Sequence, residues 1–276
     1  MAERSIAIRA GIGASAHVLQ RRELVFKRLV IEQPMLIVVR QGAKTLRSAD
    51  MECVVRAGEA IVIAGGRAFD VINHPSPQGV YEAEWLSWDP ALIAAYQTRE
   101  SVSEKPSAQL ARRITEALPL RPVSAAFMSA INRAIQVIGD ADNVPDAIAR
   151  HSMHELLIWL NLHNGQLTRI DTSSLSGKLR QLLSAAPGSP WPAQKVAQQL
   201  AMSEATLRRH LAAEGSSLSA LLADVRMSLA LALLQSTDKA IALIAAEVGY
   251  ESASRFAIRF RQRFGFSPAQ IRTQQR

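Results

Sequence analysis

Val196–Ser203 can be laid on Ile244–Glu251 at an offset of 48 residues. With one residue inserted, Leu207 then falls on Phe256 and Leu211 on Phe260. With one more, Gly215 falls on Gly265. Each copy reads as a short helix, a tight turn and a longer helix. Ala197 and Ala245 are small where two helices would cross closely. Gly249 suits a left-handed turn residue. Ser203 and Ser252 can cap the second helix of each copy. This is a helix-turn-helix present twice, at about 193–214 and 241–264.

Between the copies, Leu221, Leu222, Val225, Leu229, Leu233 and Leu234 recur at spacings of three and four. They predict one continuous helix over 218–236, roughly 28 Å long at 1.5 Å per residue. One turn of B-DNA is about 34–36 Å, so two second helices held this way could enter successive major grooves. At the end of the chain, Gly265 can stop the helix before it. Ser267 can cap the next helix and Pro268 suits its first turn.

The charge follows the same division. Thr172–Arg276 holds 13 Lys and Arg against 6 Asp and Glu, so +7 of the chain's +8 lies there. Such asymmetry points that half at a polyanion, nucleic acid among them, with a solubilising surface as the alternative.

The first 90 or so residues favour short strands rich in Val and Ile. They are Glu23–Ile31, Met35–Arg40, Met51–Arg56, Glu59–Ile63, Ala68–Ile72 and Gly79–Trp88, and turn signals separate them. A small β-sandwich or barrel is expected. From Pro90 the period turns helical, with helices expected at Ala108–Leu118, Ala125–Val137 and Pro145–Leu162. In the last, Ile148, Leu156, Trp159 and Leu160 share one face. Polar Asn164–Ser174 reads as a linker. The expected class is α+β in two domains, 1–163 and 175–276, joined by 164–174.

Several function classes find no support. The single cysteine, Cys53, cannot form an internal disulfide or a four-cysteine zinc site. No apolar run approaches the ~18 residues of a membrane span, and no signal peptide is visible, so a cytoplasmic, nucleoid-associated protein is expected. His17 and His74 stand far apart. His151 and His154 are three apart on one expected helix but lack a third ligand. No Gly-x-Ser-x-Gly or phosphate-binding loop appears. No enzyme, metal or cofactor is expected. Tyr81, Trp85, Trp88 and Phe69 can line a pocket or form plain core.

The ordered motifs resemble the DNA-binding domain of the AraC/XylS transcription regulators over about Leu175–Arg276. They are Met202-Ser203 with Leu207, Glu214-Gly215, Ile244-Ala245 with Val248-Gly249-Tyr250, Ser252 with Ser254, Phe256 and Phe260, and Phe264-Gly265-Phe266-Ser267-Pro268. The resemblance implies a seven-helix domain, usually activating transcription through RNA polymerase. The N-terminal part is similar in outline to the family's cupin-like barrels. By the same resemblance it would carry a sensor for a small-molecule or protein effector, and a helical segment that makes a homodimer. Acting as a repressor, or binding DNA without a ligand, is the alternative within this architecture; an enzyme fused to a DNA-targeting module is the other.

The resemblance also places base contacts at Ala205, Arg208 and Arg209. An arginine can bind guanine O6 and N7 together. In the second unit, Ser254, Arg255 and Ile258 are the expected groove-facing residues, while Arg259, Arg261 and Arg263 suit phosphates. Many family members carry arginine where this chain has Ile258, and a small residue at Arg259. Isoleucine could make only apolar contact, for example with a thymine methyl.

Overall fold

The computed structural model describes residues 6–102, 111–167 and 174–273. The chain divides into two compact units, the first reaching Ile170 and the second beginning at Asp171.

The first unit opens with nine strands: β1 (Ala7–Arg9), β2 (Gly13–Gln20), β3 (Leu24–Ile31), β4 (Met35–Gln41), β5 (Ala43–Arg47), β6 (Glu52–Arg56), β7 (Ala60–Ile63), β8 (Arg67–His74) and β9 (Tyr81–Trp88). Helix α1 (Pro90–Val102) follows, then β10 (Arg112–Arg113), β11 (Ala117–Leu120), α2 (Ala125–Gly139), α3 (Asp146–Leu162) and β12 (Gly165–Gln166). Six strands form a sheet in the order β1-β2-β9-β4-β7-β11, and four form a second in the order β3-β8-β5-β6. All six expected strands are present. Of the expected sandwich or barrel, no closed barrel forms: among the described residues no ladder joins the two sheets. The large sheet ends on β1, only three residues long, and on β11, where Pro119 lacks the N–H that a further ladder would need.

The helix expected at Ala108–Leu118 is corrected. Residues 108–110 lie outside the described part, and Ala117–Leu120 is a strand. Leu118 is registered on Val62 and Leu120 on Ala60. Pro119 and Pro122 make that stretch extended. Two residues expected in the linker also form structure, since Gly165–Gln166 pairs in parallel with Arg112–Arg113.

Helices α2 and α3 pack together beside the large sheet. Phe127, Ile131, Ala134, Met153, Leu156 and Leu160 are fully buried with Leu36, Val38, Val62 and Trp88. Trp88 Nε1 donates to the Met153 carbonyl at 3.2 Å. Ile148 does not join Leu156 and Leu160; it is 52% exposed, as is Ile158, and Leu162 is 70% exposed. Ala149, one residue on, takes the buried place.

The second unit is helical throughout. It comprises α4 (Leu175–Ala185), α5 (Ala193–Gln199), α6 (Glu204–Ala213), α7 (Leu218–Ser236), α8 (Ile241–Glu247), α9 (Ala253–Phe264) and α10 (Pro268–Thr273). Among the described residues these are the seven helices that the resemblance implies. Leu221 and Val225 of α7 share a core with Leu179, Leu183, Val196, Ala197, Leu207 and Leu211. Met227, Ala230, Leu231, Leu233 and Leu234 are buried further along α7. That helix is long and apolar enough to cross a membrane, but its apolar side chains are occupied as the spine of this unit.

Candidate nucleic-acid interface

Each helix-turn-helix is built by the local chemistry that its sequence announces. Ser203 Oγ accepts from Thr206 N–H at 3.1 Å and starts α6. Ser252 Oγ accepts from Arg255 N–H and starts α9. Val196 and Ala197 of α5, and Ile244 and Ala245 of α8, are buried. Leu207 and Leu211 fix the inner face of α6, and Phe256, Phe260 and Phe264 that of α9. The three phenylalanine rings stand 5.6 and 4.8 Å apart in tilted pairs. Gly265 ends α9 at φ 85°, with its N–H on the Arg261 carbonyl. Ser267 and Gln270 then exchange side-chain bonds to each other's N–H, a capping box for α10.

With the inner faces fixed, the outer faces follow. Ala205, Arg208 and Arg209 are exposed on α6, and Ser254, Arg255, Ile258, Arg259 and Arg261 are exposed on α9. Ile258 is 60% exposed. An apolar residue so open, on a helix whose inner stripe is complete without it, has no task in the core.

Arg263 is placed differently from its neighbours. Its Nη2 lies 3.3 Å from Asp224 Oδ1, and Arg180 Nη2 lies 3.2 Å from the other oxygen of the same carboxylate. Asp224 on α7 thus ties α4 and α9 together. Sequence spacing put Arg263 on one stripe with Arg255 and Arg259 and gave no sign of this partner, which lies 39 residues away.

Glu214, just past α6, accepts from the backbone N–H groups of Leu175 and Ser176 at 2.9 and 2.8 Å. The nearby Ser176 side chain and these N–H groups hold its carboxyl below the usual carboxylate range. The end of the first recognition helix is therefore clamped to the start of α4. The Glu-Gly pair was legible in the sequence as a motif, but not as a clamp.

In the first unit, one interior cluster is polar. Lys44 on β5 is buried and donates to Asn73 Oδ1 at 2.5 Å, while Asn73 Nδ2 donates to Gln20 Oε1 at 3.0 Å. Lys44 Nζ lies 5.3 Å from the Tyr81 ring centroid. Gln20 and Tyr81 are paired across β2 and β9, and Lys44 and Asn73 across β5 and β8, so the cluster bridges the two sheets. Burial lowers the Lys44 pKa to about 7. Tyr81 is fully buried, and its hydroxyl has no hydrogen-bond partner among the described residues. Sequence reading singled out Tyr81 only as one of four aromatic residues and passed over Lys44. Trp88 is plain core and Phe69 is buried. Among the described residues no group of three His, Cys, Asp or Glu could hold a metal, and His154 stacks at a tilt on Tyr96.

A basic all-helical unit with two exposed capped helices, following a β-rich unit in the chain, has the charge and motif pattern of a nucleic-acid-binding domain. A helix-turn-helix domain family matches residues 196–274. The HTH-type transcriptional regulator YdeO of Escherichia coli K12 is 30% identical over 159 residues, which are 54% of this chain and 62% of that protein. The urease operon transcriptional activator of Escherichia coli is 35% identical over 98 residues, 36% of this chain and 33% of that protein. The chain thus spans less than two thirds of the length of these curated relatives. The fatty-acid-bound crystal structure of ToxT from Vibrio cholerae superposes with a TM-score of 0.69 at 12% identity, covering 100% of this chain and 98% of that one, so the fold is shared. Over residues 196–274 the chain carries a domain of that helix-turn-helix family, and it is similar to these transcriptional regulators.

Proposed function

We propose that this chain is a sequence-specific transcription regulator, an activator, that reads two successive major grooves with α6 and α9. The observation that carries this is the pair of outer faces, Ala205–Arg208–Arg209 and Ser254–Arg255–Ile258, each exposed on a helix capped and packed in the same way. Arg208 and Arg209 suit guanine edges, Ile258 suits a thymine methyl, and Arg259 and Arg261 suit phosphates. The spine helix α7, of roughly 28 Å, is commensurate with one turn of B-DNA. Activation draws support from the relative named as an activator, and would work through RNA polymerase. Such a protein acts in the cytoplasm, on the nucleoid.

The first unit is read as the sensor. Its interior holds an ammonium with a single acceptor and a phenol with none. An effector bearing acceptor oxygens would satisfy both. The unit is also read as the dimer contact, through the exposed Ile158 and Leu162 on α3, giving a closed pair that meets two half-sites.

A fragment beginning at Ser174 tests the reading. It should bind duplex DNA alone, with log affinity falling against log salt by about 0.9 per phosphate neutralised. A flat salt response, or binding confined to residues 1–165, would overturn it. Transcription in vitro with the full chain then separates activation from repression.

A further inference from the structure

We propose that Arg226 is the positioning residue that sets the spacing at which the two helix-turn-helix units engage DNA. The inference rests on the two-groove reading above and concerns a side chain that the reading does not use. Arg226 lies midway along α7, and its guanidinium joins three segments. Nε donates to the Pro187 carbonyl at 2.9 Å and Nη2 to the Ser189 carbonyl at 3.0 Å. Both carbonyls belong to the loop that leads into α5, the first helix of the first helix-turn-helix. The guanidinium carbon also stands 5.8 Å from the centroid of the Tyr250 ring, in the turn region of the second unit.

The loop and that turn approach backbone to backbone. A methyl group built on Gly188 would stand 2.5 Å from the Glu247 carbonyl oxygen. One built on Gly249, at φ 83°, would stand 2.6 Å from Arg226 Nη2 and 2.9 Å from the Gly188 carbonyl oxygen. Glycine at both positions is what lets the loop of one unit rest on the turn of the other with a guanidinium between them. A single helix joining two units leaves them free to bend and twist about it. A second, lateral contact removes that freedom. The planar fork of arginine makes two carbonyl bonds and stacks on an aromatic ring at once, which a lysine ammonium cannot do.

The consequence is one fixed separation between α6 and α9. An inserted base pair moves one contacted half by about 3.4 Å along the duplex, and a head held this way cannot follow it.

The test uses the full chain and duplexes carrying its selected binding site, either intact or with one or two base pairs inserted between the two contacted halves. The natural protein should lose about tenfold or more in affinity for each insertion, on the scale of a mismatched pair. Arg226→Gln should accept the insertions within about threefold while keeping its base preferences inside each half, because the reading residues are untouched. Gly188→Ala disturbs the same contact from the loop side and should show the same tolerance; it decides the matter if Arg226→Gln does not fold. Arg226→Lys should fall between the two. A variant that weakens on every duplex alike and keeps the full insertion penalty overturns the proposal and leaves two-groove reading standing. A natural protein indifferent to the insertions overturns both.

Discussion

Arg209 and Ile258 occupy the same place in the two copies of one motif. Each lies two residues after the first buried anchor of its recognition helix, Leu207 or Phe256, and two before the second, Leu211 or Phe260. Both are exposed. One position therefore offers a bidentate donor in the first unit and an apolar surface in the second. Arg209→Ala should cost roughly 1–3 kcal/mol and relax preference at one or two base pairs. Ile258→Arg should give the second half-contact a new preference for guanine. Selection from random duplexes reads both changes. A loss at Arg209→Ala that is equal for all sequences would make that residue a phosphate contact.

Arg261 and Arg263 lie two residues apart and should behave differently. Arg261 is exposed, so Arg261→Ala should weaken binding to all sequences and reduce the salt slope by about one. Arg263 sits on Asp224, so Arg263→Ala should lower the melting temperature and leave the salt slope nearly unchanged. The carboxylate between Arg180 and Arg263 is partly buried, and Asp224→Asn should destabilise more than an ordinary surface change. Equal slopes for the two arginine variants would contradict this division.

The turn residue of the first unit is Ala201, at φ 53°, where the second unit has Gly249 at φ 83°. An L-residue with a Cβ is disfavoured there by roughly 1–2 kcal/mol. Ala201→Gly should therefore stabilise the helical domain, by up to about 1 kcal/mol after the entropy of glycine is counted. Gly249→Ala should destabilise it, since the added methyl meets Arg226. Urea unfolding measures both. An Ala201→Gly variant no more stable than the natural protein would place the cost elsewhere.

Lys44 makes stability depend on pH. Its folded pKa is lowered to about 7, below the ordinary 10.5. Between these values the unfolded chain binds more protons than the folded one, so this residue's contribution rises with pH across the window. Below about pH 7 both states are protonated and the penalty is full. Lys44→Met should stabilise the first unit by a few kcal/mol near neutral pH, with the advantage closing toward pH 10. A difference that does not vary with pH would show that Lys44 is not the titrating group.

The dimer proposal can be settled on the full chain. Light scattering at tens of micromolar (order of magnitude, for a Kd near 1 μM) should give twice the chain mass, and Leu162→Asp should give the monomer. A monomeric natural protein at that concentration would refute it.

The second unit was legible nearly residue by residue. Its helices are local structures whose caps, turns and buried stripes are written at fixed short offsets, and the repeat states each of them twice. The first unit was legible only as alternating short strands. Sheet order and closure depend on pairing between distant strands, so β2 and β5 went unseen and the choice between sandwich and barrel stayed open. Leu118–Leu120 shows the same limit. Ala117 and Leu118 fit a helix end by composition, and only their pairing with β7 makes them a strand. The exposed faces of α6 and α9 could be placed because the inner stripe fixes the outer one. Arg263 with Asp224, and Arg226 with the Pro187–Ser189 carbonyls, could not be. Each joins elements 37–39 residues apart through side chains whose direction no spacing reveals.

Hydroxyl-radical footprinting of the full chain on its selected site asks the central question most directly. Two protected patches on one face of the duplex, centred about 10–10.5 base pairs apart, are expected for each chain bound. Arg209→Ala should thin one patch and Arg259→Ala the other. A single patch per chain, untouched by either variant, would contradict a reading head with two recognition helices.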